Sequence, residues 1–267
     1  DPVGMTGIRL EVDTQMIMAT SAQIKNLTRA VYRTGVDIDD LVLSILAAGD
    51  IVVTPRQKEL GVAVVNIGSS TTSLIVYEEG DVLHSSILTI GSEHITNDLA
   101  IGLRTSIDIA EKIKLQYGDC YTDAVGKKEM VDLIDVGNET SEVVSRKYIS
   151  EIISARVEEI LEKVEKELVQ IGRNGLLPAG IVFTGGGAKL RGLVELSKDK
   201  MRLPASLGYP IDIVSATEKS GDLAFTTAIG LARWGAYVNP VGKRGDSLKK
   251  VHKVSNQVRK WFKSLVP

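Results

Sequence analysis

Val64-Val65-Asn66-Ile67-Gly68-Ser69-Ser70-Thr71-Thr72 is a short β-branched run that ends in a glycine turn. Ile181-Val182-Phe183-Thr184-Gly185-Gly186-Gly187-Ala188-Lys189 repeats the arrangement further along the chain. Each reads as a strand delivering a tight turn. Glycine in such a turn lets backbone N–H groups approach an anionic or planar ligand with no Cβ in the way. One turn of this kind is weak evidence, but two on one sheet suggest a nucleotide held between them.

Around these turns the chain alternates strands and helices. Ile8–Val12 alternates apolar and charged residues as a half-buried strand does. Ser21–Arg33 carries Ala22, Ile24, Leu27, Ala30 and Val31 on one helical side, and Asp39–Leu43 reads as a returning strand. Thr54-Pro55 opens a short helix, with Thr54 as N-cap and Pro55 in the first turn. Strands follow at Val62–Asn66, Ser73–Glu78 and Asp81–Ile90, the last two joined by a Glu79-Gly80 hairpin turn. Helices are expected at Glu93–Leu103 and Ser106–Gln116. An irregular stretch with a weak strand signal at Met130–Val136 precedes an amphipathic helix over Tyr148–Gln170. Strand 181–184, helix Leu190–Lys198, strand Ile211–Val214 and helix Asp222–Tyr237 complete the patterned part.

Composition narrows the class of function. The 267 residues carry a net charge of −2, which gives no general affinity for nucleic acid. A lone Cys120 allows no disulfide within the chain, and three scattered histidines show no metal-ligand spacing. The charge is strongly segregated. Residues 247–267 hold six Lys and Arg and no Asp or Glu, which leaves 26 basic against 34 acidic residues elsewhere. At 100° per residue, Leu248, Val251, Val254, Val258, Trp261, Phe262, Leu265 and Val266 share an apolar arc of about 140°. The cations, Lys260 among them, take the opposite side. A helix lying in an anionic membrane interface has this pattern, and a helix docked on the globular core is the competing account.

Several stretches together resemble the FtsA family of bacterial cell-division proteins, within the actin-like ATPase superfamily. They are Asp1-Pro2-Val3-Gly4-Met5-Thr6-Gly7-Ile8-Arg9-Leu10-Glu11, Glu59–Gly68, Thr96-Asn97-Asp98-Leu99-Ala100, Ala110-Glu111-Lys112-Ile113-Lys114 and Gly185-Gly186-Gly187-Ala188, which fall in family order. The opening motif is the specific one, because the glycine turns are shared across the superfamily. The resemblance implies an α/β, actin-like (RNase H-like) lobe with an inserted subdomain. It assigns 1–48 to part of the family's 1C (SHS2-like) subdomain and 49–60 to a connector helix. Lobe 2A takes 61–118 and 180–238, with 119–179 inserted as 2B; a linker at 239–247 then leads to a membrane-targeting helix at 248–267. It further implies that the chain is truncated at its N-terminus, lacking the first lobe and part of 1C.

The same resemblance places ATP against Asn66, Gly68, Ser69, Ser70 and Thr71, with Glu111 and Lys114 reaching the ribose and Gly185, Gly186, Gly187 and Lys189 against the adenine. Family members carry Asp where this chain has Asn66; that Asp holds a water of the Mg²⁺ shell. An amide brings no charge to a hard cation, so ATP binding with weak or no hydrolysis is expected and no catalytic residue is assigned. An ordinary turn that has lost its ligand, and a solvated Glu111–Lys114 pair, are the plain alternatives. The implied partners are the FtsZ C-terminal peptide, through Arg156 on the inserted subdomain, an anionic membrane surface, further copies in actin-like filaments, and later divisome proteins through 1C. The implied location is the cytoplasmic face of the membrane at the septum. A PilM-like pilus-assembly ATPase homologue or an actin-fold kinase is the alternative.

Overall fold

The computed structural model describes residues 4–12, 14–213 and 221–238. The residues expected from the sequence to meet a membrane, Val251, Val254, Val258, Lys260, Trp261, Phe262 and Leu265, lie outside them. The chain divides into two compact units, Asp1–Leu41 and Val42–Pro267. In the first, helix α1 (Ser21–Tyr32) forms over the expected stretch. The strand expected at Ile8–Val12 does not form, and Ile8, Leu10 and Val12 are exposed. A strand is held by a hydrogen-bonded neighbour, and none is assigned among the described residues of this unit.

The second unit is built on a five-stranded sheet. Its strands are β1 (Val62–Ile67), β2 (Thr72–Glu78), β3 (Asp81–Leu88), β6 (Ile181–Thr184) and β7 (Ala205–Leu207), in the order β3-β2-β1-β6-β7. The β3-β2-β1 part is an antiparallel meander, and β6 and β7 add in parallel. β1 is buried on both faces, as its unbroken Val-Ala-Val-Val run requires. Ala63, Val65 and Ile67 enter a core with Leu99, Ile113, Ile153 and Phe183. Val62 and Val64 point the other way, toward Ile45, Ile51 and Val52. Successive side chains alternate across a strand, so Asn66 belongs with the second set.

Helices cover both faces. Helices α4 (Ser92–Gly102), α5 (Ile107–Tyr117), α6 (Arg146–Gln170) and α7 (Leu193–Met201) contribute to the first core. Helices α2 (Ser44–Val52) and α8 (Thr226–Val238) form the other layer. The strand expected at Asp39–Leu43 does not form, and directly after it begins α2, which was not expected. It is apolar almost all round, with Ile45, Ala47, Ala48, Gly49, Ile51 and Val52 buried, so no helical period marked it. Helix α3 (Pro55–Leu60) starts as expected, in a full capping box: Gln57 N donates to Thr54 Oγ1 at 3.2 Å, and Thr54 N donates to Gln57 Oε1 at 2.9 Å. A separate hairpin, β4 (Met130–Asp132) with β5 (Val143–Ser145), precedes α6.

The last strand differs from expectation. β7 is Ala205–Leu207, and residues 211–213 form none. Ile211 N instead donates to the Ile51 carbonyl at 2.7 Å, which ties this segment to the end of α2 and takes it out of the sheet. No described helix is long and apolar enough to cross a membrane.

Candidate functional site

The two glycine turns lie side by side because their strands are neighbours. Parallel pairing sets Asn66 opposite Thr184 at the ends of β1 and β6. Both side chains turn toward the head of α8, where Asn66 Nδ2 donates to Thr227 Oγ1 at 3.1 Å and Thr184 Oγ1 donates to Thr226 Oγ1 at 2.8 Å. Gly185 then takes φ +87° and ψ 168°, a conformation that favours glycine. A cavity of about 980 Å³ opens at this point, at the upper end of the usual range for small-molecule sites.

The cavity gathers the candidate residues named from the sequence. Asn66, Gly68, Ser69, Thr71, Glu111, Lys114, Gly185, Gly186, Gly187 and Lys189 all line it, and of that set only Ser70 does not. Asn66 is committed through its amide nitrogen to Thr227, and its oxygen faces Gly185. In the first turn, Gly68 N–H donates to the Thr71 carbonyl at 2.9 Å, so it closes the turn and is not turned to a ligand. None of the described residues accepts from the N–H groups of Ser69, Ser70 or Thr71. Those three groups suit an anion.

Glu111 and Lys114 form an ion pair at 2.6 Å. Lys114 Nζ also donates to Thr96 Oγ1 at 2.8 Å and to the Ser92 carbonyl at 3.3 Å, and Thr96 Oγ1 donates to Glu111 Oε2 at 2.5 Å. The pair is therefore a built feature joining α4 to α5, with the Lys114 side chain only 10% exposed. Burial pushes the Glu111 carboxyl up, but hydrogen bonds from Lys114 and Thr96 and the Lys114 charge outweigh it and hold its pKa below the ordinary carboxylate value. On the opposite rim, Lys189 pairs with Asp222 at 2.9 Å. The Ala224 N–H and then Lys189 lower the Asp222 pKa.

Residues missed from the sequence also line the cavity. They include Glu93 and Thr96 of α4, Asp108 of α5, Arg191 and Thr227. The nearest sequence signal was the acidic residue in the first turn of α4, which suits a helix N-terminus. Arg156 does not line this cavity. From α6 it forms a forked pair with Asp98 of α4, at 2.5 and 2.8 Å, and a third bond to Glu159 at 2.5 Å.

The family model described as cell division protein FtsA matches residues 63–230, which hold both glycine turns and every lining residue named above. The chain belongs to the FtsA family. Relatives in that family include cell division protein FtsA of Pseudomonas aeruginosa, 34% identical over 235 residues, and of Neisseria meningitidis, 39% identical over 232 residues. These matches cover 88% and 86% of this chain but 56% of each relative, so the chain spans about half the length of the curated FtsA relatives it matches. Among solved structures, MreB5 of Spiroplasma citri bound to ADP superposes with a TM-score of 0.66 at 18% identity, covering 85% of this chain and 69% of that one. The PilM–PilN type IV pilus biogenesis complex gives 0.60 at 20% identity, covering 79% and 57%. The second unit of this FtsA-family chain thus has the actin-like fold.

Proposed function

We propose that this chain is the nucleotide-binding and membrane-directed part of an FtsA-type division protein. It takes ATP in the cavity, with the phosphates on the N–H groups of Ser69–Thr71, the ribose near Glu111 and Lys114, and the adenine by Gly186, Gly187 and the Lys189 stem. The observation that carries this reading is the convergence on one cavity of glycine turns and the Glu111–Lys114 ion pair from distant parts of the chain. A relative in fold that was crystallised with ADP supports it. Hydrolysis is weak or absent, because Asn66 brings no carboxylate to the site. Titration calorimetry with ATP tests the binding. Wild-type chain is expected to bind, and Lys114→Ala to bind at least ~10-fold more weakly, since it strips Glu111 and Thr96 of their shared donor. No heat from the wild type at ~1 mM ATP would overturn the reading.

The subdomain scheme given by the family resemblance accompanies this proposal: 1–48 as partial 1C, 61–118 with 180–238 as lobe 2A, and 119–179 as 2B. The protein sits at the cytoplasmic face of the membrane at the septum, held by residues 248–267, and joins FtsZ to that surface. It also associates with copies of itself in actin-like filaments and with later divisome proteins through 1C. The segregated charge of the tail supports membrane attachment. In liposome flotation the wild type is expected to rise with anionic vesicles and Trp261→Glu/Phe262→Glu to stay behind; equal flotation of both would sink the claim. Arg156 supports the FtsZ contact by family position. Anisotropy with an FtsZ C-terminal peptide checks it best in Arg156→Lys, because an aspartate there would face both Asp98 and Glu159. Unchanged affinity would remove Arg156 from the contact.

A further inference from the structure

Glu93 is the one acidic side chain that hydrogen-bonds the first glycine turn among the described residues. Its Oε2 accepts from Ser70 Oγ at 2.9 Å and from Ser69 Oγ at 3.2 Å. Its own N–H donates to the Ser69 carbonyl at 2.8 Å, and Ser92 N–H donates to the Gly68 carbonyl at 2.9 Å. The first N–H groups of α4, which would otherwise favour an anion, are thus spent on the turn. A carboxylate then stands where the hydroxyls could have met phosphate.

The positive charges of the lining do not offset it. Lys114 is bound to Glu111, Thr96 and Ser92, and Lys189 to Asp222. Arg191 donates to the carbonyls of Gly118 and Gln116. None of the three reaches the turn, and Asn66 adds no charge. An entering polyphosphate therefore meets, on the hydroxyls beside the N–H groups that should receive it, a carboxylate that none of the described cations pairs. Among the described residues no group of three His, Cys, Asp or Glu could hold a metal ion, whereas a cation carried on the phosphates would need fewer ligands from the protein.

The geometry points to Glu93 as a positioning residue that makes the cleft select a nucleotide already complexed with a divalent cation. Its carboxylate takes the electrostatic part that an amide at position 66 cannot play. This deepens the nucleotide reading above and rests on it. Glu93 is exposed, so the interaction is partly screened by solvent.

The test is a thermodynamic cycle on the full chain. ADP and ATP are titrated by calorimetry with excess Mg²⁺ or with EDTA, for wild type, Glu93→Gln and Ser70→Ala. Wild type is expected to favour the Mg²⁺ form. Glu93→Gln should bind metal-free nucleotide about five- to tenfold more tightly, and the ratio of affinities with and without Mg²⁺ should fall by a similar factor. Ser70→Ala removes a hydroxyl anchor and keeps the charge, so it should keep that ratio. Thermal melts establish that all three are folded. An unchanged ratio in Glu93→Gln, or an equal change in Ser70→Ala, would overturn the assignment while leaving nucleotide binding intact. Absence of nucleotide binding by the wild type in both conditions would overturn the cleft reading and this assignment with it.

Discussion

Gly230→Ala is expected to lower the melting temperature of the chain by about 10 °C, and Gly235→Ala, five residues along the same helix, to raise it slightly. Alanine is the better helix former by about 0.8–1 kcal/mol, so propensity alone would make both changes stabilising. Packing separates them. A Cβ on Gly230 would stand 2.6 Å from the Ala47 carbonyl carbon and closer still to its oxygen, whereas at Gly235 it would meet open space. The obstacle at Gly230 is backbone, which cannot rotate aside, so α8 would have to lift off α2. That would loosen the Ile45–Val52 core, against which Ile229 packs. Forced overpacking of this kind costs about 3 kcal/mol, and in a unit of this size each kcal/mol moves Tm by about 2–4 °C. Differential scanning calorimetry of the two variants checks the prediction. A melting temperature for Gly230→Ala at or above that of wild type would show that the close approach of α8 to α2 is not what holds this layer.

Where local pattern and tertiary demand agree, the sequence was sufficient. β1, β2, β3, β6 and the long α6 lie within a few residues of their expected positions. Each combines a run of the right period with a stop: Gly68, Glu79-Gly80, or the Gly172 break. The misses have physical causes. α2 is buried nearly all round, so it offers no polar face from which to read a helical period. Ile211-Asp212-Ile213 alternates like a strand, yet its Ile211 N–H is taken by α2. β7 is three residues long, and what holds it is pairing with β6, which no local pattern announces. The cleft divides the same way. Its glycine turns are local motifs and were legible. Thr227 meets Asn66 across 161 positions and Glu93 meets Ser70 across 23. Such contacts exist only once the strand order and the helix layers are known.

Gly185→Ala is expected to be the most damaging single-atom addition in the cleft, abolishing measurable nucleotide binding and costing about 2–4 kcal/mol of stability. Two independent effects act at once. The residue adopts φ +87° with an extended ψ, which an L side chain resists. An added Cβ would also lie 2.6 Å from the Ile67 carbonyl oxygen and nearer still to Asn66 Oδ1. Relieving that overlap moves the end of β6 away from β1, just where Asn66 and Thr184 must stay level to reach Thr227 and Thr226. The cleft wall and the seat of α8 would part together. Gly186→Ala is the necessary contrast, because its added Cβ meets nothing closer than the Ala224 Cβ at 3.9 Å and its φ lies outside the left-handed region. That variant should melt within about 1 °C of wild type, since a change without overlap or strain is worth no more than ~0.5 kcal/mol. It should still weaken ATP binding several-fold, because the methyl intrudes where the base approaches the backbone. Calorimetric melting and ATP titration of both variants separate the two roles of the turn. If Gly186→Ala bound ATP as well as wild type, the second glycine turn would be a joint between strands and helix and no wall of a nucleotide site.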